Sequence, residues 1–508
     1  MATPVPDFAG GLTAVAILLS TSIVWYVLSA IRSWHRLRQF PGPFLASFSH
    51  IWGYFAMRSG RVHLIFHKEQ EKHGKLVRIG PNELLTCDAK SLWHMNNVRL
   101  TYGRGGWYAG LQLDPHGRNV ASECSVTKHD NRKAKLAAGY AGKGALDLEA
   151  QVDSQVAVLV GLLKSKYLAK GKPQFVDLSR LITFFQVDII TLVGFGEPWG
   201  DLASDSDVFD WISIMGMFAP FGESIIMVPF LRDVVWTGFL LKLAGRKISA
   251  QKGLGKVLTI IDDLVAKRFD TATGAGHNQD CMLDMWIKNG LTRRECEIEL
   301  ALLLPAGLET MATAISNTMF HLLSAPTAYQ RLQDEITMGI QDGRISSPIT
   351  NNEAKQLPYL QAVISEGLRM LPPLITGLPK TVPAGGDTIC GQFVPEGTDV
   401  FVNVYTLLRD KEVFGEDADV FRPERFLECS AEERSEMMKN VDLAFGHGRW
   451  ACLGKTLAML ELNKVLVEML RICDMQIANP LSPCRVLGYT TCKVKGLLVS
   501  IRNKAQKA

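Results

Sequence analysis

The residues best suited to chemistry lie late in the chain, in a glycine-rich stretch around Cys452. The stretch runs FGHGRWACLGK from Phe445 to Lys455, and a helical pattern follows it. Glycine permits positive φ and lets the backbone approach a flat, bulky group. A cysteine at a helix start gains thiolate character from the unpaired N–H groups there, and such a thiolate suits the axial position of a haem iron. The alternative is a buried apolar cysteine, which is the usual environment of a free thiol.

A long helix is predicted upstream of this stretch. Thr292 and Glu295 have the spacing of a capping box, which marks a helix start. The pattern continues to about Ser324, where Ala325-Pro326 ends it. At ~1.5 Å per residue the helix is about 50 Å long, enough to cross a whole domain.

The middle of this helix is a second candidate site. Pro305 lacks an N–H and loosens the turn before it. Ala306 and Gly307 are small enough for a ligand to lie against the helix, while Thr310 offers a hydroxyl and Glu309 an exchangeable proton. The alternative is a kinked core helix with small packing residues.

A charged pair marks another predicted helix. Glu366 and Arg369 are three residues apart and share one helix face. On a surface such a pair contributes only ~0.2–0.5 kcal/mol, so it indicates little by itself. A later segment, FRPERF from Phe421 to Phe426, contains Arg425.

These stretches, in this order, resemble the motifs of the cytochrome P-450 family. The matching residues are Phe445, Gly448, Cys452 and Gly454 in the haem loop, Ala306, Gly307, Glu309 and Thr310 in the oxygen-site helix, and Glu366, Arg369 and Arg425 in a buried charge triad. The resemblance implies a mainly α fold with a small β region behind an N-terminal transmembrane helix. It implies Cys452 as axial ligand of haem b, protons routed past Thr310 and Glu309, and a triad that supports the haem site structurally.

One position departs from the family pattern. The family arginine two residues before the cysteine is Trp450 here, and Arg449 lies one position earlier. The resemblance also implies a haem-propionate contact four residues after His129, at Lys133. We expect the Trp450 N–H, helped by Lys133 or Arg132, to hold the propionates, because adjacent residues of an extended loop point to opposite sides. Arg449 is then expected to face away, toward a reductase.

The resemblance also places a substrate pocket. A glycine-rich loop at 101–125 is expected to cover it, and a hairpin tip at 488–492 to enter it. The pocket-facing candidates are Leu303, Ala306, Ile375, Leu378 and Tyr489. Short strands are predicted around the Gly-Pro-Asn turn of 76–86, at 388–390 and at 399–404.

The N-terminal stretch is predicted to anchor the chain in a membrane. Phe8 to Ile31 carry no charge, and 24 residues at ~1.5 Å each span the ~30 Å hydrocarbon core. Arg32, Arg36 and Arg38 follow, which favours a cytoplasmic remainder. We therefore expect an anchor over residues 1–40 and a catalytic domain over 41–508, with a single pass through the endoplasmic reticulum membrane.

Composition narrows the partners. A net charge of +4 over 508 residues is too small to imply a nucleic-acid partner. Ten scattered cysteines form no C-x-x-C pair, and no histidine cluster has zinc spacing. The expected partners are membrane lipid, a hydrophobic small molecule, an NADPH–cytochrome reductase and a b-type cytochrome.

The resulting prediction is a haem-thiolate monooxygenase, most like the fungal pisatin demethylase branch. It would hydroxylate, O-demethylate or epoxidise a secondary metabolite, with electrons from NADPH. A haem-thiolate isomerase or dehydratase is one alternative, although such members tend to lose the residues that match Thr310 and Glu309. A non-catalytic membrane haem protein is another, and NADPH consumption separates it from an oxygenase.

Overall fold

The fold is mainly helical, with four small sheets in the part of the chain that is described. The computed structural model describes residues 8–112, 114, 117–142, 146–169, 173–236, 253–271 and 280–504. Within these, the α-helices are α1 (Phe8–Arg36), α2 (Ile51–Arg58), α3 (Val62–His73), α4 (Ala89–Met95), α5 (Val126–Tyr140), α6 (Leu148–Leu162), α7 (Leu178–Phe195), α8 (Asp201–Ser204), α9 (Trp211–Ile226), α10 (Pro229–Trp236), α11 (Gly253–Thr271), α12 (Met282–Lys288), α13 (Arg293–Ser324), α14 (Pro326–Gln341), α15 (Asn351–Lys355), α16 (Pro358–Met370), α17 (Val404–Leu407), α18 (Lys411–Phe414), α19 (Ala431–Asp442) and α20 (Lys455–Ile472). The strands are β1 (Leu76–Arg78), β2 (Glu83–Thr86), β3 (Gln174–Asp177), β4 (Lys380–Thr381), β5 (Asp387–Ile389), β6 (Gln392–Val394), β7 (Asp399–Val402), β8 (Cys473–Ile477), β9 (Arg485–Gly488), β10 (Cys492–Lys495) and β11 (Leu498–Asn503).

The largest sheet has four strands in the order β1-β2-β7-β4. β1 and β2 form the predicted antiparallel hairpin, with Leu76 opposite Thr86. β7 runs parallel to β2, and β4 pairs antiparallel with β7. Among the described strands, the other sheets are β3-β11-β8 and the hairpins β9–β10 and β5–β6.

Two predicted strands end earlier than the sequence pattern suggests. β5 stops at Ile389 because Cys390 adopts a φ of +49° in the tight turn to β6. β7 stops at Val402, and the side chain of Asn403 then accepts the Thr406 N–H as the N-cap of α17. The predicted strands at 388–390 and 399–404 were therefore wrong at their C-terminal ends.

The predicted long helix is confirmed as α13, which runs unbroken through Pro305. Its capping box is formed: the Thr292 N–H donates to Glu295 at 2.9 Å, and the Glu295 N–H donates to the Thr292 hydroxyl at 3.3 Å. By length and composition, α7 and α13 are apolar enough to cross a membrane. Both are mostly buried and pack against each other, so they form the core on which the site is built.

The end of α1 lies against the β1–β2 hairpin. Arg78 is almost fully buried, and its guanidinium donates to the carbonyl oxygens of Ser33, Trp34, Ser47, Gly80 and Pro81 at 2.7–3.4 Å. Leu37 and Phe40, just after α1, belong to the hydrophobic core. These contacts therefore attach the C-terminal end of α1 to the β1–β2 hairpin and to the hydrophobic core.

Removing the Arg78 guanidinium should loosen this junction. We expect Arg78→Met to lower the free energy of unfolding by about 3 kcal/mol, because hydrogen bonds from a charged donor are lost and buried carbonyls stay unpaired. Denaturant unfolding of the purified full-length protein measures this. The control is Arg38→Met, which removes an exposed arginine from the same region. An equal loss in both variants would show that Arg78 does not hold the junction.

Candidate functional site

The glycine-rich loop before α20 folds as a tight turn that presents Cys452. Gly446 and Gly448 have φ values of +73° and +61°, which favour glycine. A Cβ on Gly448 would also lie 2.4 Å from the carbonyl oxygen of Asn96, so no larger residue fits. The Cys452 N–H donates to the Phe445 oxygen at 2.8 Å and closes the loop.

Cys452 is the only exposed cysteine of the ten, all of which lie in the described chain. Burial among the surrounding atoms raises the pKa of its thiol, so the side chain lies in a recess of the protein. The backbone N–H groups of Gly454 and Lys455 and the ammonium of Lys133 lower that pKa. The sulfur thus has both the space and the donors that a thiolate ligand requires.

The middle of α13 has an exposed residue among buried neighbours. Ala306 is exposed although Leu303, Leu304 and Leu308 around it are buried. The Thr310 hydroxyl donates to the Ala306 oxygen at 2.8 Å, which leaves its lone pairs free to accept a hydrogen bond. Ala306 and the Thr310 hydroxyl are therefore accessible together on one side of α13.

Gly307 serves the helix packing instead. A Cβ at this position would lie 2.5 Å from the side chain of Ile190 on α7. The small residue is thus needed where α13 crosses α7, as in the alternative interpretation of this segment. Of the two small residues, Ala306 is the exposed one.

Glu309 is held in an ion pair. Its carboxylate lies 2.5 Å from the ammonium of Lys493 on β10, and both side chains are nearly buried. One turn further along α13, the Thr313 hydroxyl donates to the Cys492 oxygen at 2.6 Å. The hairpin formed by β9 and β10, called the terminal hairpin below, is therefore held directly against the segment of α13 that was predicted as the oxygen site.

Trp450 lies among cations. The guanidinium of Arg104 is 3.9 Å from the centre of its ring, and the ammonium of Lys380 is 4.0 Å from it. The imidazole of His129 lies against the same indole at 4.3 Å between ring centres. Cation–π attraction stabilises this arrangement and fixes the plane of the indole.

The other cations predicted to hold an anion have protein partners. Lys133 donates to the carbonyl oxygens of Arg449 and Ala451, both at 2.7 Å, and so supports the cysteine loop. Arg449 is paired with Asp130 on α5 at 2.8 Å. Arg132 lies beside Glu299 at 3.4 Å and beside Glu295 at 3.5 Å, next to α13.

Lys380 and Arg104 are site residues that the sequence analysis missed. Lys380 is 3% exposed, and its ammonium has no hydrogen bond or ion pair with any residue in the described part of the chain. Burial and the nearby Arg104 and Arg449 lower the pKa of Lys380 to about 6. Each is an isolated cation in its own segment, and no spacing in the sequence connects them with Trp450.

This cluster fits a dianionic group such as the two propionates of haem. Arg104, Lys133 and Arg449 contribute three cations, and Lys380 adds an amine that a bound anion would help to protonate, whereas Asp130 is the one carboxylate in ion-pair contact with them among the described residues. Burying like charges together is unfavourable unless an anion compensates them. The second requirement of a haem site is a thiolate ligand for the iron. The Cys452 thiol meets it, because it lies close enough to Lys133 for the ammonium to lower its pKa.

The predicted charge triad is assembled in the structure. Arg369 donates to both oxygens of Glu366, at 2.6 and 2.8 Å, and Arg425 donates to the same carboxylate at 3.0 Å. The Arg422 N–H adds a bond of 2.8 Å. Glu366, Arg369 and Arg425 are all buried, and the two arginines also donate to backbone carbonyls. The group is a closed network and touches no reactive atom.

The pocket-facing candidates lie at different depths. Ile375 and Tyr489 are buried, whereas Leu378 is exposed and has a φ of +46°. Leu303 packs toward α7, where a Cβ on Gly194 would lie 2.7 Å from it. The predicted hairpin tip at 488–492 joins β9 to β10, and its Thr490 oxygen accepts the Ile375 N–H at 3.0 Å.

Comparison with known proteins agrees with this geometry. The family model described as "Cytochrome P-450" matches residues 41–491. The chain is 39% identical over 469 residues to cytochrome P-450 monooxygenase aba1 of Botryotinia fuckeliana, with 92% of each chain covered. It is 39% identical over 486 residues to cytochrome P-450 monooxygenase abl1 of Leptosphaeria maculans, covering 94% of this chain and 85% of the relative. It is 30% identical over 470 residues to a pisatin demethylase of Fusarium vanettenii, covering 91% and 87%.

Proposed function

The chain belongs to the cytochrome P-450 family of haem-thiolate monooxygenases, and from that premise we propose that it oxidises a hydrophobic secondary metabolite by hydroxylation, O-demethylation or epoxidation. The observation that carries the proposal is that the same chain presents an accessible Cys452 and, in the middle of α13, an exposed Ala306 beside the Thr310 hydroxyl. An isomerase or dehydratase has no need of hydroxyl and carboxyl groups on the oxygen-site helix.

We assign the cofactor-binding roles as follows. Cys452 would bind the iron, on a loop that the Phe445 oxygen closes and whose shape requires Gly448, while the Gly454 N–H faces the sulfur. Trp450, with Arg104 and Lys380 on its ring, would meet the propionates. Haem iron with a thiolate ligand supplies dioxygen activation when electrons are delivered to it.

The proton-handling residues would act from α13. The Thr310 hydroxyl is anchored to the Ala306 oxygen and offers lone pairs to a bound water or proton donor. Glu309 would exchange protons with the pocket once it leaves its ion pair. The mostly apolar surroundings of this segment limit entry of bulk water, which favours delivery of protons through these two groups.

The proposal is tested by expressing the chain with an NADPH–cytochrome reductase in microsomes. Candidate metabolites are first screened for the low- to high-spin shift of the haem, and those that bind are incubated with NADPH and O₂. We expect an oxygenated product that requires both. A rearranged product formed without NADPH would instead support the isomerase alternative.

We further propose that electrons come from NADPH through a separate reductase, with a b-type cytochrome as a second donor. Lys128 is exposed on α5 and Lys455 is partly exposed beside the cysteine loop, so both ammonium groups are accessible to an acidic partner. Lowering the salt concentration should then speed reductase-supported turnover.

We also propose that α1 spans the endoplasmic reticulum membrane once and leaves the catalytic part in the cytoplasm. Large apolar side chains on the outside of α1 support this, among them Trp25, Leu28 and Ile31. A second apolar surface is exposed on α2, on α9, which packs against it, and on their neighbouring segments. It is defined here as Phe44, Phe55, Met217, Phe221 and Phe230. Deletion of residues 1–31 tests the span, because it keeps the Arg78 contacts with Ser33 and Trp34 and the core residues Leu37 and Phe40. In that deletion, replacement of Phe55 and Phe230 by serine tests the second contact. If the protein leaves the membrane only when both changes are combined, then α1 and the second apolar surface both contact lipid.

Lys380 gives the sharpest test of the propionate assignment. We expect Lys380→Met to lower the haem content per protein severalfold, because a buried charge-assisted donor is removed. Trp450→Ala should also lower the haem content, since it removes the ring that holds Arg104 and Lys380 in place. Arg449→Ala is the comparison, because Arg449 already has Asp130 as its partner. Haem lost in Arg449→Ala but kept in the other two variants would reverse the assignment.

A further inference from the structure

The terminal hairpin places the ammonium of Lys493 near two carboxylates, those of Glu309 and Glu223. Lys493 on β10 contacts Glu309 of α13 at 2.5 Å. The carboxylate of Glu223, on α9, accepts the Thr490 N–H at the tip of the same hairpin at 2.6 Å. Three elements that are far apart in the sequence therefore meet at one group of charges.

The electrostatics show that the two carboxylates interact. Burial and the charge of Glu309 together raise the pKa of Glu223 to about 7, although Lys493 and the hydrogen bond from Thr490 oppose them. The negative charge of Glu309 thus disfavours the ionised form of Glu223. The ammonium of Lys493 compensates the remaining negative charge.

The charged groups around Glu309 complete this account. β10 contributes Lys493 and Lys495, α9 contributes Glu223, and Arg485 of β9 acts on Lys495. The neighbouring turn of α7 presents the apolar Ile190. Among the described residues, Lys493 is the one cation in ion-pair contact with Glu309.

We propose that Lys493 is a positioning residue, which holds the side chain of Glu309 turned toward the hairpin until a change at α9 or at the hairpin tip releases it. Because Glu223 and Thr490 join α9 to the tip, a substrate that shifts either element would alter the Lys493–Glu309 contact. The inference rests on the proposed monooxygenase function, in which Glu309 exchanges protons. It adds a residue from the terminal hairpin to that function.

The first test is the pH dependence of coupling, measured as product formed per NADPH consumed. An opposite charge within about 4–6 Å lowers a carboxyl pKa by about 1–3 units, so Lys493→Met should move the acid limb of the profile up by about one pH unit. Lys493→Arg should restore the wild-type profile. Lys495→Met is the matched control, because it removes a cation from the same strand while keeping the partner of Glu309. Glu309→Gln should remove the limb.

The second test needs no turnover. Thermal unfolding of the haem-containing wild type, Glu309→Gln, Lys493→Met and the double variant forms a double-mutant cycle. We expect the double variant to lose less in Tm than the two single losses combined, because each single variant leaves one nearly buried charge unpaired. Additive losses would overturn the ion pair and therefore the inference.

The two proposals fail in different ways. A wild-type enzyme that consumes no NADPH with reductase and a spin-shifting ligand overturns the proposed function, and the inference with it. A wild-type enzyme that turns over normally beside a Lys493→Met variant with an unchanged pH profile overturns the inference alone.

Discussion

Cys452→Ala is expected to abolish the haem-thiolate spectrum and all oxygenase activity. None of the other nine cysteines is exposed in the described chain, so no second thiolate is placed to replace it. Its removal leaves the loop without a soft anionic ligand. The ferrous–CO complex of the purified variant should lose the red-shifted Soret band.

The control is Cys429→Ala, which removes a partly buried cysteine outside the loop. This variant should keep the band and the haem content of the wild type. A red-shifted band that persists in Cys452→Ala would refute the ligand assignment, whatever the activity of the variant.

Glu366→Gln is expected to have the largest effect on stability. The carboxylate of Glu366 compensates Arg369 and Arg425, and all three side chains are buried. Removal of one partner from a buried ion pair costs about 3–5 kcal/mol, because it strands a desolvated charge. We expect most of the variant to fail to fold around haem, which the yield of haem-containing protein and denaturant unfolding would measure.

A surface pair of the same chemistry provides the comparison. Asp342 and Arg344 are 2.9 Å apart, and both side chains are exposed. Asp342→Asn should change the free energy of unfolding by less than about 1 kcal/mol. If Glu366→Gln were as mild as Asp342→Asn, the triad would not be a structural support.

The elements that the sequence determined are those that depend on neighbours along the chain. A capping box joins residues three apart, so Thr292 and Glu295 predicted the start of α13. The turn between β1 and β2 and the helical pairing of Glu366 with Arg369 depend on equally short spacings. Strand ends were less predictable, because Asn403 and Cys390 compete with the ladder through a helix cap and a left-handed turn.

Only the tertiary structure decided which groups meet from distant segments. Arg104, Lys380 and Trp450 come from a loop, a strand and the cysteine loop, and each is an ordinary residue within its own segment. The same holds for Glu309 and Lys493, which are 184 residues apart in the chain. The interaction between two charges depends on the distance between them, and that distance cannot be read from the sequence around either residue. The sequence by itself determined the chemical types at this site, and the packing of α13 against the terminal hairpin and the cysteine loop decided their partners.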